Sequence, residues 1–306
     1  MISTIVFNST KIPKQVMEFT KHTMTTFGRL VFRAKAKGSM NLHTQSIAMQ
    51  KEIGKQSETS FPWWESHYLL TRLNKVRIPF IQNGIHEVGL LRRQTGTVNK
   101  TRLEGVKILE VGCGGGIICE ELARLGADVI GLDIDSKAIN EARKHQLLDN
   151  SIKDNLKYIN DTIYEHEREN SEKYDAVVLS EVIEHIRNEE KEKILSSSIN
   201  TLQPGGSLFI TTPNKTISSL IIVIFLAEMF NIIPKGTHLY DEFIAPEDLI
   251  KMIEKNKCEI KTVDGIYYNP FRKEFVNSRR WSLYYGIHAL KINEKSQPVK
   301  YDHIGQ

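Results

Sequence analysis

The sequence predicts an α/β protein built on a doubly wound, mostly parallel sheet, with a late antiparallel strand pair, N-terminal helices and an apolar helical insertion. Three observations carry that prediction. Short apolar runs alternate with helical patterns between residues 106 and 212. A turn rich in glycine (Gly112, Gly114, Gly115, Gly116) follows the first run directly. The second run ends on an acid, Asp133, 21 residues after Gly112. Parallel neighbours need a crossover connection, so strands alternating with helices imply βαβ units.

The chain before this region is less regular. Residues 41–60 are polar and read as a linker or helix start. Trp63 and Trp64 precede an amphipathic stretch through Leu69, Leu73, Val76, Phe80 and Ile81, whose spacing is helical. Residues 91–104 are charged and contain Thr and Gly, as a loop does. The first strand is expected over 106–110 and the first helix of the sheet region over 117–125, ended by Gly126. The second strand spans 128–133, and a helix over 136–148 takes Ser136 as its N-cap. The third strand spans 156–160. The fourth, YDAVVLS at 174–180, is nearly all apolar and so buried on both faces. A helix over 188–202 stops at Pro204-Gly205-Gly206, and the fifth strand spans 207–212. A helix over 246–255 and late strands over 258–268 and 281–292 follow.

Composition limits the function. The chain has 306 residues, enough for one large α/β domain with extensions or two small domains. Hydrophobic residues make up 40% and charged residues 25%, as in soluble globular proteins. A net charge of +4 gives no argument for nucleic acid, and no nucleic-acid partner is expected. Three cysteines, Cys113, Cys119 and Cys258, form no CxxC pair, so they read as packing residues in a reducing compartment. The first forty residues carry seven Lys or Arg against one acid, Glu18, and are rich in Ser and Thr. That is the composition of a mitochondrial transit segment, the alternative being a basic tail. The expected organisation is transit segment 1–40, helical cap 41–104, main domain 105–295 with an apolar insertion at 216–245, and polar tail 296–306.

Two motifs carry chemistry. The turn reads E-x-G-x-G-x-G through Glu110, Gly112, Gly114 and Gly116. Glycine lets the backbone bend sharply and lie against a ligand. A dinucleotide turn needs G-x-G-x-x-G, and Ile117 stands where its last glycine belongs. Another nucleoside cofactor, a dinucleotide and a purely structural turn are the three readings, and Ile117 speaks against the second. Asp133 lies where an acid accepts both ribose hydroxyls. The second motif, Ser180-Glu181-Val182-Ile183-Glu184-His185, follows the fourth strand, outside whose carboxyl end ligands collect. On a helical turn Glu181, Glu184 and His185 converge on one face, fit for acid/base work or a cation. The alternative is a solvated first turn with acids at its N-terminus.

Longer strings narrow the reading. Trp63-Trp64, RLNKVR (72–77), LEVGCGGG (109–116), RLGADVIGLD (124–133), SEVIEH (180–185), GGSLFITTPNKT (205–216), PKGTH (234–238) and YYNPF (267–271) occur in this order. Together they resemble the ubiquinone-biosynthesis O-methyltransferases, which have the Rossmann-like class I methyltransferase fold and methylate catechol-type hydroxyls on polyprenylated rings. The glycine turn belongs to the wider superfamily, whereas the Trp pair, PKGTH and the Tyr-Asn-Pro segment are narrower. The chain departs from the family pattern at Lys75 and Glu65.

The resemblance implies S-adenosylmethionine as cosubstrate, held by Arg77, Glu110, Gly112, Gly114, Asp133, Asp161 and Ser180. Glu110 would face the methionine ammonium and Asp161 the adenine amino group. It implies Glu181, Glu184 and His185 as ligands of Mg2+ or a similar divalent cation, with His185 and Glu181 catalytic. The implied acceptors are 3,4-dihydroxy-5-polyprenylbenzoate and demethylubiquinol. A ring oxygen attacks the methyl carbon in line, as phenolate, favoured either by the cation or by His185 as general base. The other readings are methyl transfer to another small acceptor and a non-catalytic scaffold. A prenylated acceptor lives in a bilayer, and residues 217–234 are strongly apolar with one charge, Glu228. They are too short and interrupted for a span, so peripheral contact is expected, at the matrix face of the mitochondrial inner membrane within a multi-enzyme ubiquinone-synthesis complex.

Overall fold

In a computed structural model of the chain, the described residues are 64, 68–89, 103–216, 242–269, 272 and 274–293. The expected transit segment, the apolar segment with PKGTH and the polar tail lie outside them.

Helix α1 (Tyr68–Glu87) precedes the sheet. The sheet region then runs β1 (Lys107–Val111), α2 (Ile117–Arg124), β2 (Asp128–Asp133), α3 (Ser136–Gln146), β3 (Leu156–Asn160), α4 (Ile163–Asn170), β4 (Tyr174–Ser180), α5 (Asn188–Thr201) and β5 (Leu202–Pro213). It closes with α6 (Pro246–Lys255), β6 (Cys258–Asn269), β7 (Glu274–Ser278) and β8 (Tyr284–Lys291). The strands form one sheet in the order β3-β2-β1-β4-β5-β8-β6-β7. The first five are parallel, while β8 pairs antiparallel with both β5 and β6, and β7 antiparallel with β6. The expected class I fold is therefore observed. Its strand order reverses between β1 and β4, the place where such sheets open a crevice for ligands.

Side-chain alternation builds two cores. Ile108, Val129, Ala176, Val178 and Phe209 face α1 and α2, where they meet Ile81, Ile85, Ile118 and Leu122. Their strand neighbours Leu109, Leu132, Val177, Leu179 and Ile210 point the other way, onto Leu195, Ile199, Leu249 and Ile253 of α5 and α6. A period of two with both faces covered produces the continuous apolar runs read in the sequence. A third, smaller cluster joins Leu73 and Val76 of α1 to Ile266, with Phe275 and Tyr284 packed against it.

Four expectations need correction. Ser136 is the first helical residue of α3, and Asp135 is the N-cap, its side chain accepting from the Lys137 N–H at 2.9 Å. The strand expected at 207–212 starts at Leu202, which pairs with Tyr174, while Ser207 pairs with Ala176. Residues 203–206 therefore bulge out of register between two paired positions, because Pro204 and its glycines interrupt the ladder without ending the strand. The late pair is a triplet: β7 was not anticipated. Neither was α4, which buries only Ile163 and His166 and is signalled by its cap, Thr162, accepting from the Glu165 N–H. Among the described residues, no helix is long and apolar enough to cross a membrane.

Candidate active site

The ends of β1, β2, β3 and β4 share one rim, and each delivers a polar residue to it. Glu110 is near the end of β1, Asp133 ends β2, Asp161 follows β3 and Ser180 ends β4. The glycine turn follows β1 and the Ser180–His185 segment follows β4, so both predicted motifs flank the strand-order reversal.

The turn fits closely against its surroundings. Gly112 has φ 74°, and a Cβ there would lie 2.5 Å from Val182 Cγ2. Gly116 has φ 85° and caps α2, where a Cβ would overlap the Tyr158 hydroxyl. Both positions combine a left-handed backbone with no room for a side chain, which is why glycine stands there. Gly114 N–H donates to Asp133 Oδ2 at 2.8 Å, and Asp135 N–H donates to Asp133 Oδ1 at 2.8 Å. The turn thus fixes the carboxylate that would meet a ribose, and each oxygen keeps lone pairs for a ligand. Burial raises the Asp133 pKa, and these amides oppose the rise. Ile134, next in the chain, leaves a large apolar side chain 76% exposed at the same rim. Sequence reading passed over it, since a lone isoleucine after a strand is common in ordinary folds.

Arg77 enters from α1 and is buried. Its Nη1 donates to Ser180 Oγ at 2.9 Å, and its Nη2 donates to Leu70 O at 2.7 Å and Asn74 Oδ1 at 2.6 Å. Asn74 in turn donates to Ile117 O at 2.9 Å, tying α1 to the start of α2. Lys75, where the family pattern differs, is exposed and leaves this anchoring intact. Ser180 Oγ lies 2.7 Å from Thr211 Oγ1, and because the Thr211 proton goes to Glu181, Ser180 is the donor of that pair. Thr211 Oγ1 then donates to Glu181 Oε1 at 3.3 Å. Arg77 Nε has no hydrogen-bond partner among the described residues.

Three carboxyl groups act electrostatically on this guanidinium: Glu181, Glu110 and Glu184. Glu110 is buried, and desolvation raises its pKa to about 7, with the Cys119 thiol and Arg77 pulling it back. Cys119 Sγ donates to Glu110 Oε2 at 2.8 Å, so this cysteine does more than the packing assigned to it. Burial also pushes Glu181 well up, helped by the neighbouring Glu184 and opposed by Arg77. Glu181 and Glu184 share a hydrogen bond, and Glu184 Oε2 accepts from Thr212 Oγ1 at 2.9 Å. Glu181 holds a left-handed backbone, φ 60°, which is strained for a residue with a side chain and is common at functional turns. Thr211 and Thr212 are β5 residues that the sequence gave no reason to single out.

The expectation that Glu181, Glu184 and His185 converge on one helical face is not met. Residues Ile183–His185 form a 3-10 turn, which rotates successive side chains by about 120°. Glu184 turns inward and is 3% exposed, whereas His185 stands on the solvent side. Among the described residues, no group of three or more His, Cys, Asp or Glu side chains is arranged to hold a metal ion. Asp161 reaches the rim through its backbone, donating to Asp133 O at 3.2 Å. Its side chain accepts from its neighbour Thr162 N–H at 2.7 Å.

Comparison with known proteins identifies the family. The family model described as a methyltransferase domain matches residues 74–260, from the start of the Arg77 anchor into β6. Relatives named ubiquinone biosynthesis O-methyltransferase, mitochondrial, include one from Rattus norvegicus, 37% identical over 252 residues, covering 81% of this chain and 71% of that protein. The Homo sapiens relative of the same name is 37% identical over 246 residues, covering 79% of this chain and 65% of that protein. A bacterial relative from Aliivibrio fischeri, named ubiquinone biosynthesis O-methyltransferase, is 35% identical over 206 residues, covering 67% of this chain and 86% of that protein. The chain belongs to the ubiquinone biosynthesis O-methyltransferases and is an S-adenosylmethionine-dependent O-methyltransferase.

Proposed function

We propose that the rim between β1 and β4 binds S-adenosylmethionine beside a polyprenylated catechol and methylates a ring hydroxyl. One observation carries the reading: the buried Arg77 guanidinium is hydrogen-bonded to Ser180 Oγ and linked through Thr211 to Glu181, and its charged neighbours are the carboxyls of Glu181, Glu110 and Glu184. Such a site has excess acid and favours a ligand with positive charge. S-adenosylmethionine brings an ammonium and a sulfonium to match the carboxyls, and its carboxylate suits the unpartnered Arg77 Nε. When bound, the sulfonium supplies an electrophilic methyl carbon. Glu110 would meet the ammonium, Asp133 the ribose hydroxyls, and the backbone at Gly112 and Gly114 the cofactor's length. Ser180 would stand beside the methionine end and Asp161 beside the adenine.

On the acceptor side, His185 would take the phenolic proton, with Glu181 alongside. Glu181 and Glu184 fit one further partner. Two carboxyls that share a proton offer a hard cation two oxygen ligands, the number by which Mg2+ is commonly held beside substrate and water. Such a cation supplies Lewis acidity to a catechol. His185, assigned by the resemblance to the same cation, is exposed where Glu184 is buried and is proposed as the base. The mitochondrial names of the mammalian relatives support a mitochondrial site of action, and the acid-poor first forty residues fit a transit segment. The cap 41–104, domain 105–295 and tail 296–306 complete the proposed organisation. Peripheral contact through 217–234 at the matrix face of the inner membrane, and membership of a ubiquinone-synthesis complex, extend the proposal.

The deciding experiment measures methyl transfer to prenylated 3,4-dihydroxybenzoate and demethylubiquinol, before and after exhaustive chelation. Transfer to neither acceptor sinks the substrate assignment. Full turnover after chelation removes the cation and leaves His185 as the base.

A further inference from the structure

Lys191 lies in the first turn of α5 and is 1% exposed. Lysine is almost never this buried unless its charge is matched. Its ammonium has three protons, and the structure gives each an acceptor. Nζ donates to Ile186 O, to Asn188 Oδ1 at 3.0 Å and to Glu242 Oε2 at 3.1 Å. These acceptors belong to different parts of the fold. Ile186 is the C-cap of the turn that carries Glu184 and His185. Glu242 is where the described chain resumes before α6, and Ile244, two residues on, bridges to Asn214 just past β5.

The loop from Glu181 to Arg187 is therefore held at both ends. At its start, Glu181 N–H donates to Thr211 O at 3.0 Å. At its end, the Ile186 carbonyl is held by Lys191. Between them the backbone passes through a left-handed residue and a 3-10 turn, neither of which fixes a direction by itself. A buried ion pair is also weak evidence for stability, since an apolar residue of similar volume often serves as well. Its retention here is better explained by placement than by stability.

We propose that Lys191 is a positioning residue: by joining the Ile186 carbonyl to Glu242, it sets where Glu184 and His185 stand relative to the acceptor. The proposal rests on the reading of Glu181–His185 as the acceptor-facing segment.

The test uses the full chain and four variants: Lys191→Met, Glu242→Gln, their double, and His185→Gln as a control on the underlying reading. For each, kcat and KM for the prenylated catechol are measured beside the Kd for S-adenosylmethionine. Misplacement of a reacting group by about 1 Å reduces turnover on the order of 100-fold, so Lys191→Met is expected to lower kcat by about 10- to 100-fold. Its Kd for S-adenosylmethionine is expected to stay within about 2-fold, because the proposed cofactor contacts (Arg77, Glu110, Gly112, Gly114, Asp133, Asp161 and Ser180) are not among the hydrogen-bond partners of Lys191 Nζ. The double variant should lose less than the product of the two single losses. A purely structural role would instead lower the fraction of enzyme that binds cofactor and leave kcat per binding site unchanged, which overturns the proposal. Should Lys191→Met fail to fold, Glu242→Gln decides alone: kcat per binding site equal to wild type overturns the proposal. Full turnover of His185→Gln would instead show that the segment does not face the acceptor, a failure of the underlying reading.

Discussion

Arg77 Nη1 lies 2.9 Å from Ser180 Oγ, joining the helix ahead of the sheet to the end of β4 across 103 positions of sequence. Through Ser180 and Thr211 the same guanidinium reaches Glu181. Lysine cannot reproduce these contacts, because a point charge has no fork to span Ser180, Leu70 and Asn74. Arg77→Lys is expected to weaken S-adenosylmethionine binding at least about 10-fold and destabilise the fold by about 1–3 kcal/mol. Arg77→Ala, which leaves the surrounding carboxyls without their cation, should cost about 3–5 kcal/mol. Denaturant unfolding and calorimetric titration read both quantities, and wild-type affinity in Arg77→Lys would remove Arg77 from the cofactor site.

Glu110 gives a pH signature. Its pKa is raised to about 7 by burial, so near neutrality the free enzyme holds this carboxyl partly protonated. A ligand ammonium placed against it favours the anion and lowers that pKa. Cofactor binding should therefore release protons, about half a proton at pH 7 and more near pH 6. Calorimetry in buffers of different ionisation enthalpy measures the release. In Glu110→Gln it should fall sharply; unchanged release would place the ammonium elsewhere.

How much of this was legible in the sequence depends on the range over which each feature is determined. Strands β2, β3 and β4 were read to the residue, because a buried parallel strand is an apolar run closed by glycines or acids. The glycine turn and Asp133 were legible because their spacing is set within one βα unit. Helix α4 was not, since its sequence IYEHEREN buries too little to show a period. The position of His185 was missed for a different reason. Spacing alone suggested an α-helical turn, but the segment adopts 3-10 geometry after a left-handed Glu181, and the residues it is bonded to, Thr211, Thr212 and Lys191, lie outside the motif. Ile134 and Cys119 are local to the motifs, yet an exposed isoleucine and a buried cysteine are common enough in ordinary folds to carry no signal.

Stability toward acid should be governed in part by His288. Its ring is buried, stacked on Phe209 at 4.5 Å between centroids, with Nε2 3.1 Å from Ser207 Oγ. Burial lowers its pKa from 6.5 to about 4. Between these values the unfolded chain takes up a proton that the folded protein refuses, so stability present above about pH 6.5 is lost as pH falls toward 4, by up to about 3 kcal/mol. Replacement by glutamine keeps a polar atom near Ser207 and removes the titration. The stability difference between wild type and His288→Gln should therefore shrink or reverse toward pH 4. Glu110 has the opposite slope, but it is present in both proteins and cancels. A difference independent of pH would show that the buried ring does not control acid sensitivity.

Gly116 tests the turn itself. With φ 85° and the Tyr158 hydroxyl in the way, any side chain at this position meets both backbone strain and overlap. Alanine in a left-handed conformation costs about 1–2 kcal/mol, and overpacking adds about 1–3 kcal/mol. Gly116→Ala should relieve these by moving the start of α2, and with it Gly114, whose N–H holds Asp133. Its effect on S-adenosylmethionine affinity, expected at 10-fold or more, should therefore exceed what its thermal shift alone predicts. Tyr158→Phe in the same background removes only the hydroxyl and should recover part of the stability but little of the affinity, because the left-handed backbone remains strained. Recovery of full affinity in that double variant would show that the hydroxyl, and not the conformation of the turn, is what glycine accommodates.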